Sequence, residues 1–309
     1  MGGIEKNMDN TKKRVLVVGA TGYIGRQVVT ELVSRNYRVV AVSRRPAQQG
    51  EFEGAEVRIA DVTDPHSLEK AFHDDINVVI SCLACRMGMP ADFDKIDYQA
   101  TLNVLEAAKA NITDHFVLLS AICVKLPRLP LQYAKLKMEN ALMISKMDYT
   151  IVRPTAYFWV MDRQFDNIRK GRSGWVFGSG DYARYNPISK EDLAEFMVNC
   201  VEDSHHRNRV YIIGGPETPE NIVTSKRNIE MIFEALGKKP KVKSLPGWLL
   251  ATVIGMTKFI ALFIPKVRCV TEILRIFHYY SINDMLAPGY GTQTLKDHLE
   301  MLAKEGKEA

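Results

Sequence analysis

The sequence predicts an α/β protein with a doubly wound parallel sheet and a smaller, mostly helical C-terminal lobe. Three observations carry that expectation. Short apolar runs alternate with helical patterns between Arg14 and Val152. The first run ends in a glycine-rich turn, Gly19-Ala-Thr-Gly22-Tyr-Ile-Gly25, that opens a helical stretch. Beyond Pro154 the alternation fades and helical patterns dominate. Strands alternating with helices favour a parallel sheet covered on both faces. A strand-to-helix glycine turn in that setting is the fingerprint of a Rossmann dinucleotide-binding fold.

Arg14–Val18 is a short apolar, β-rich run and reads as the first strand. Tyr23–Ser34 follows as a helix, with Ile24, Val28, Val29, Leu32 and Val33 at helical spacing on one side. Arg38–Val42, Glu56–Ile59, Asn77–Ile80, His115–Leu119 and Tyr149–Val152 read as five further strands, with helical stretches near Pro65–Phe72 and Asp94–Ala110 between them. Later, Val210–Ile213 is strand-like, and Ser189–Val201 and Thr224–Leu236 read as helices with Ser and Thr caps. From Pro246 onward the tail reads as helix throughout. A soft boundary near Arg153 separates a dinucleotide-binding domain, 1–153, from a substrate-binding lobe, 154–309, that returns segments to the sheet.

The chain has 309 residues, 46% hydrophobic and 25% charged, enough to bury a core without disulfides or metals. The net charge of +5 is spread in short runs such as Arg44-Arg45 and Lys238-Lys239. No basic stripe interleaved with aromatics is present, so nucleic acid is not an expected partner. Five cysteines, Cys82, Cys85, Cys123, Cys200 and Cys269, form no regular framework and argue for a reducing compartment. The start, MGGIEKNMDNTKK, holds no apolar stretch of the secretory kind and is too short and acidic for an intact organelle transit peptide.

In the glycine turn, Gly19 permits the tight bend, Gly22 lets the backbone approach a pyrophosphate, and Gly25 lets helix and strand pack closely. Thr21, Tyr23 and Ile24 complete the loop, whose N–H groups face the phosphates at the positive end of the helix. The end of the second strand selects the cofactor. An acid there would bind the ribose 2′-hydroxyl of NAD, but the sequence reads Ser43-Arg44-Arg45. An arginine, Arg44 by preference, can pair with a 2′-phosphate, so the expected cofactor is NADPH. Asp61 and Val62 fall where the adenine would be contacted, and Cys82 and Leu83 fall at the cofactor edge of the fourth strand.

Ser120 closes the fifth strand; Tyr133 follows thirteen residues later and Lys137 four after that. Tyr and Lys at i and i+4 share a helix face, so the ammonium can lower the phenol's pKa and make it a proton donor, with the serine orienting the reacting group. The other reading leaves Tyr133 as packing and Lys137 as a contact to the nicotinamide ribose. Cys82-Leu-Ala-Cys85 has CxxC spacing but no second pair to complete a zinc site, and the seven histidines show no ligand spacing. No metal is expected.

The stretch Pro246–Val267, PGWLLATVIGMTKFIALFIPKV, is markedly apolar, yet Lys258 interrupts it before the ~18 residues a spanning helix needs. It is expected to be a buried lobe helix lining a substrate pocket, with Trp248, Leu249, Val253, Met256, Ile260 and Phe263 on one side. A helix lying in a membrane interface is the alternative.

The segments VLVVGATGYIGRQVV, VVISCLACRMG, IDYQATLNVLEAA, HFVLLSAICV, AKLKMENAL, YTIVRPTAYF, PISKEDLAEFMVNCV and VYIIGGPE together resemble the divinyl chlorophyllide a 8-vinyl-reductase family. These are atypical short-chain dehydrogenases of the NmrA-like branch. The resemblance runs from about Val15 to Tyr280; HFVLLSAICV with AKLK is its specific part. Lys135 and Lys137 match the AKLK pattern, whereas Tyr133 lies outside it, and Cys85 stands where serine is common. The resemblance implies NADPH-dependent reduction of the 8-vinyl group of a divinyl tetrapyrrole to ethyl, and a hydrophobic small-molecule partner. It places the protein in the cytoplasm or a plastid stroma, soluble or peripherally attached to a membrane. Two other readings stay open: a non-catalytic NADP(H) sensor or assembly factor, as elsewhere in the NmrA-like branch, and a reductase or isomerase of another planar substrate.

Overall fold

A computed structural model of the chain describes residues 12–73, 75–85 and 89–305. The stretch 1–11 that opens the chain, and residues 86–88 within VVISCLACRMG, lie outside the described residues. Seven strands form the central sheet: β1 (Arg14–Val18), β2 (Arg38–Ser43), β3 (Glu56–Ile59), β4 (Val78–Ser81), β5 (His115–Leu119), β6 (Asp148–Pro154) and, after two short strands β7 (Gly174–Phe177) and β8 (Arg184–Tyr185), β9 (Arg209–Ile213). Their order is β3-β2-β1-β4-β5-β6-β9 and every pairing is parallel. The order reverses between β1 and β4, the place where ligands of doubly wound sheets bind, outside the carboxyl ends of the strands.

The central strands are buried on both sides, which is why they read as continuous apolar runs rather than alternating ones. Helices α1 (Tyr23–Ser34), α2 (Pro65–Ala71), α4 (Thr101–Ala110), α5 (Pro130–Ile144) and α7 (Lys190–Glu202) cover the sheet, while the short α3 (Pro90–Phe93) packs on α5, and α6 (Trp159–Arg169) lies against β7. α1 and α7 share one core with Val15, Val17, Val39, Val78, Val117 and Val152. α2, α4 and α5 share the opposite core with Leu16, Val40, Val79, Phe116 and Ile151. Asp94–Ala100, between α3 and α4, is π-helical, a widened turn that turns Asp97 inward.

The remainder holds β10 (Val223–Thr224), α8 (Ser225–Ala235), β11 (Val242–Leu245), α9 (Gly247–Ile260), α10 (Val267–Ile282) and α11 (Leu295–Glu305). α6, α8 and α11 enclose a core of their own around Phe158, Phe165, Ile232 and Leu299. The expected caps are present: Ser189 Oγ accepts from Asp192 N–H at 2.9 Å and Thr224 Oγ1 from Arg227 N–H at 3.2 Å.

Two expectations for the tail are corrected. It is not helical throughout: residues 283–294 form an irregular link between α10 and α11, with Met285 bridging Tyr185 and Gly289 bridging Gly214. Pro288, Gly289 and Gly291 break the helical pattern, and the buried Asn186 amide holds Ala287 through its N–H at 3.1 Å and its carbonyl at 2.9 Å. Nor is 246–267 a buried helix. α9 buries only Leu250 and Ile254; Trp248 is 68% exposed and Phe263 73%. The segment is apolar nearly all round, and composition alone does not say which neighbour covers it.

Candidate active site

β1 delivers the chain to Gly19, whose φ of +72° lies in the left-handed region. A Cβ there would fall 2.7 Å from the Cys82 carbonyl, so only glycine lets the end of β1 lie against the chain leaving β4. Gly22 N–H donates to Gly19 O at 2.9 Å and closes the turn. A Cβ on Gly25 would meet that same oxygen at 2.1 Å, so α1 begins directly against the turn. Gly22 caps α1 without a side chain. The N–H groups of Tyr23, Ile24 and Gly25 therefore have no acceptor within the helix and stand at its positive end. This bare, narrow cradle fits a pyrophosphate. Ile24 is anchored in the core, Thr21 O accepts from Arg26 Nε at 3.2 Å, and the Tyr23 ring lies 6.3 Å from Tyr157 and 6.1 Å from Trp159.

At the end of β2 the two arginines differ. Arg45 forks onto Glu51, at 2.9 and 3.1 Å, and pulls its carboxyl down to about 2. Arg44 is exposed and, among the described residues, pairs with no carboxylate. Asp61 is held low chiefly by the Thr63 N–H and hydroxyl, at 2.9 and 2.8 Å, with Arg44 adding to the effect. Val62 O accepts from Asn103 Nδ2 at 3.2 Å, which fixes this loop to α4.

Deeper along the sheet edge, Ser81 Oγ is buried without a hydrogen-bond partner among the described residues. Cys82 and Cys85 are free thiols. Burial raises Cys82 to about 12; burial, with Asp97 and Asp92 nearby, raises Cys85 to about 11, so neither is a ready nucleophile. Lys135, on the covered side of α5, reaches Asp97 Oδ1 at 2.9 Å, and Cys85 N–H donates to Asp97 Oδ2 at 3.1 Å. Burial disfavours the Lys135 ammonium, but Asp97 opposes it, and the net shift is upward. The lysine is thus a charged, fixed hydrogen-bond donor beside the ends of β4 and β5.

Ser120, Tyr133 and Lys137 are not brought together. Ser120 is buried and its hydroxyl donates to Glu139 Oε1, which also accepts from Arg153 Nε at 3.1 Å. That clamp ties β5, α5 and β6 together. Tyr133 is 54% exposed and its hydroxyl donates to Pro127 O at 3.2 Å. Lys137 lies in solvent, paired with Asp94 Oδ1 at 2.7 Å and placed over the Tyr98 ring at 4.7 Å. Tyr133 and Lys137 do share a helix face, but it is the outer one, because α5 turns Gln132, Lys135, Glu139 and Leu142 inward. Tyr279 of α10 donates to Cys123 O at 3.1 Å and Leu126 O at 3.0 Å, which ties α10 to the turn after β5. Burial also raises the phenols of Tyr157 and Tyr280.

A family described as NAD(P)H-binding matches residues 19–204. The chain is 39% identical to the chloroplastic divinyl chlorophyllide a 8-vinyl-reductase of Arabidopsis thaliana, over 94% of this chain and 77% of that one. The chain belongs to the divinyl chlorophyllide a 8-vinyl-reductase family. It is more distantly related to the photosystem II assembly factor Ycf39 of Guillardia theta, 28% identical over 79% of this chain and 77% of that one. In fold it is similar to an NADPH-dependent quinone oxidoreductase of Escherichia coli, with a TM-score of 0.69, 18% identity, and coverage of 93% and 99%.

Membership in the vinyl-reductase family makes the chain an oxidoreductase with an NAD(P)H-binding domain, and the exposed Arg44 agrees with NADPH as its cofactor. Vinyl-reductase relatives are chloroplastic by name. Among the described residues no helix is long and apolar enough to cross a membrane, and no cluster of His, Cys, Asp and Glu could hold a metal. The Tyr133–Lys137 spacing does not point to Asp97 or to the buried place of Lys135. The pattern Gln132, Lys135, Glu139, Leu142 was the available signal: polar residues on the inward stripe of a helix need partners.

Proposed function

We propose that the protein is an NADPH-dependent reductase that converts the 8-vinyl group of a divinyl chlorophyllide or protochlorophyllide to ethyl. The observation that carries this reading is the relationship to vinyl reductases across nearly the whole chain. When bound, NADPH supplies the hydride. Gly22 and the start of α1 hold the pyrophosphate, Arg44 takes the 2′-phosphate, and Asp61 and Val62 border the adenine. Lys135, its charge balanced by Asp97, keeps ammonium hydrogens for the nicotinamide ribose and orients the ring.

The negative charge gained by the vinyl group would spread into the macrocycle, so the chain has little of it to stabilise, and one proton taken from water would complete the ethyl group. Ser120 holds α5 in place through Glu139 and is a positioning residue in this scheme. Residues 1–153 serve the cofactor and 154–309 the substrate. The pigment's hydrophobicity extends the reading to a plastid stroma, with peripheral membrane contact through residues 246–267. Incubation with NADPH and divinyl chlorophyllide, followed by chromatography, tests the activity; a monovinyl product is expected. A folded chain that binds NADPH and forms no product would reject it in favour of an assembly factor, the reading to which the Ycf39 relationship points.

A further inference from the structure

Residues 235–271 hold seven lysines and arginines and no aspartate or glutamate. All seven, Lys238, Lys239, Lys241, Lys243, Lys258, Lys266 and Arg268, are exposed. The same stretch exposes Trp248, Met256, Phe259, Leu262, Phe263 and Ile264 along α9 and the turn into α10. The Phe259 and Phe263 rings meet edge to face at 5.5 Å, and Lys243 Nζ stands 5.2 Å from the centre of the half-exposed Trp175 ring. Apolar surface in such quantity marks a site of attachment.

We infer that α9 and the first turn of α10 dock on the headgroup region of an anionic lipid bilayer. This rests on the reading of 246–267 as a peripheral contact, and it adds the lipid charge and the residues that meet it. Phe259, Leu262 and Phe263 enter the acyl boundary, Trp248 settles at the headgroup level, and Lys258, Lys266 and Arg268 meet the phosphates. The charge selects this occupant over a second copy of the chain, because pairing two such faces would set cation against cation with no carboxylate to relieve them. The helix lies on the bilayer and does not span it: 14 residues rise only about 21 Å, against about 30 Å of hydrocarbon. α10 packs against α9 and, through Tyr279, on the turn after β5. The docked face is therefore continuous with the edge where the hydrophobic substrate would enter.

Flotation of the full chain with two kinds of vesicle tests the inference: phosphatidylcholine alone, and phosphatidylcholine with phosphatidylglycerol in equal parts. The chain should float with the anionic vesicles at least about tenfold better than with the neutral ones, and lose that preference in high salt. F259S/F263S should lose flotation, and K258E/K266E/R268E should lose the anionic preference, each keeping wild-type NADPH affinity as evidence of an intact fold. Absence of flotation, or variants that float like the wild type, overturns the docking. So does a wild-type dimer in sedimentation that F259S/F263S abolishes, which would make a second copy the occupant. The assay uses no pigment and no hydride, so a chain that floats but makes no monovinyl product keeps the docking and loses only the substrate.

Discussion

Lys135 and Asp97 meet at 2.9 Å inside the protein, while Lys137, two residues on, meets Asp94 at 2.7 Å in solvent. The two pairs look alike in sequence and differ in what breaking them costs. Lys135→Ala would leave a buried carboxylate unpaired, a loss of about 3–5 kcal/mol. Lys137→Ala removes a surface pair worth at most about 1 kcal/mol. Urea unfolding of both variants should separate them. Lys135→Met combined with Asp97→Asn should recover stability and still lose activity by about 10²-fold, because it removes the donor proposed for the cofactor. Full activity in that double variant would remove Lys135 from the site.

The exposed hydroxyl of Tyr133, spent on Pro127 O, is not placed to give up a proton in the site. Tyr133→Phe should keep kcat within about threefold of the wild type, far short of the ~10² loss of a general acid. A loss on that larger scale, at unchanged NADPH affinity, would restore the phenol to catalysis.

Cofactor choice should follow the freedom of the two arginines. Arg44→Ala should weaken NADPH binding about tenfold or more and leave NADH nearly unchanged, since a charge-assisted contact to a 2′-phosphate contributes about 1.5–3 kcal/mol. Arg45→Ala should change neither, because Arg45 is engaged with Glu51. Fluorescence titration with both nucleotides decides; equal losses for NADPH and NADH in Arg44→Ala would exclude the 2′-phosphate contact.

The glycine turn predicts two kinds of damage. Gly25→Ala places a methyl 2.1 Å from a backbone oxygen, so it should lower both the melting temperature and NADPH affinity. Gly22 meets only Gly19 O, at 3.1 Å. Gly22→Val should therefore abolish NADPH binding with the fold retained, as circular dichroism and titration would show. Retained affinity in folded Gly22→Val would place the phosphates elsewhere.

Acid should weaken the protein through His115. Burial, helped by Arg207 and Lys13, lowers its pKa from 6.5 to about 4. The folded state thus refuses a proton that the unfolded chain accepts between those values. Stability from this group is intact above pH ~6.5 and is lost as the pH falls through ~4, up to about 3 kcal/mol. Unfolding midpoints of wild type and His115→Asn between pH 7 and 4.5 measure it. The wild type should fall more steeply, and parallel curves would assign the acid sensitivity to other groups.

Most of the sheet was legible because its strands are short, parallel and buried on both sides. β1, β3 and β5 stand where their apolar runs predicted, and α1 spans Tyr23–Ser34 as its periodicity required. The strand order was not legible, since nothing local in β4 says that it lies beside β1. β8 and β10, two residues each, are too short to carry a period. The glycine turn could be read because glycine at three fixed positions after a strand has few other uses. Lys135 was harder: its role depends on Asp97, thirty-eight residues earlier, and on a π-helical turn that no propensity announces. α9 misled in the other direction, because an apolar helix has the same composition whether its cover is protein or something outside the chain.

β9 and α7 have a consequence for how far the chain can be divided. β9 completes the sheet beside β6, and α7 covers the outer side of α1, yet both come from beyond Arg153. A polypeptide stopped at Arg153 would keep every residue of the glycine turn and lose both coverings. The row of amides on β6 would be open to strand addition from other molecules, and the apolar stripe of Ile24, Val28 and Leu32 would lose one wall of its core. A fragment cut at Arg153 is therefore expected to aggregate, and an exchange with relatives should carry β9 and α7 along with the glycine turn.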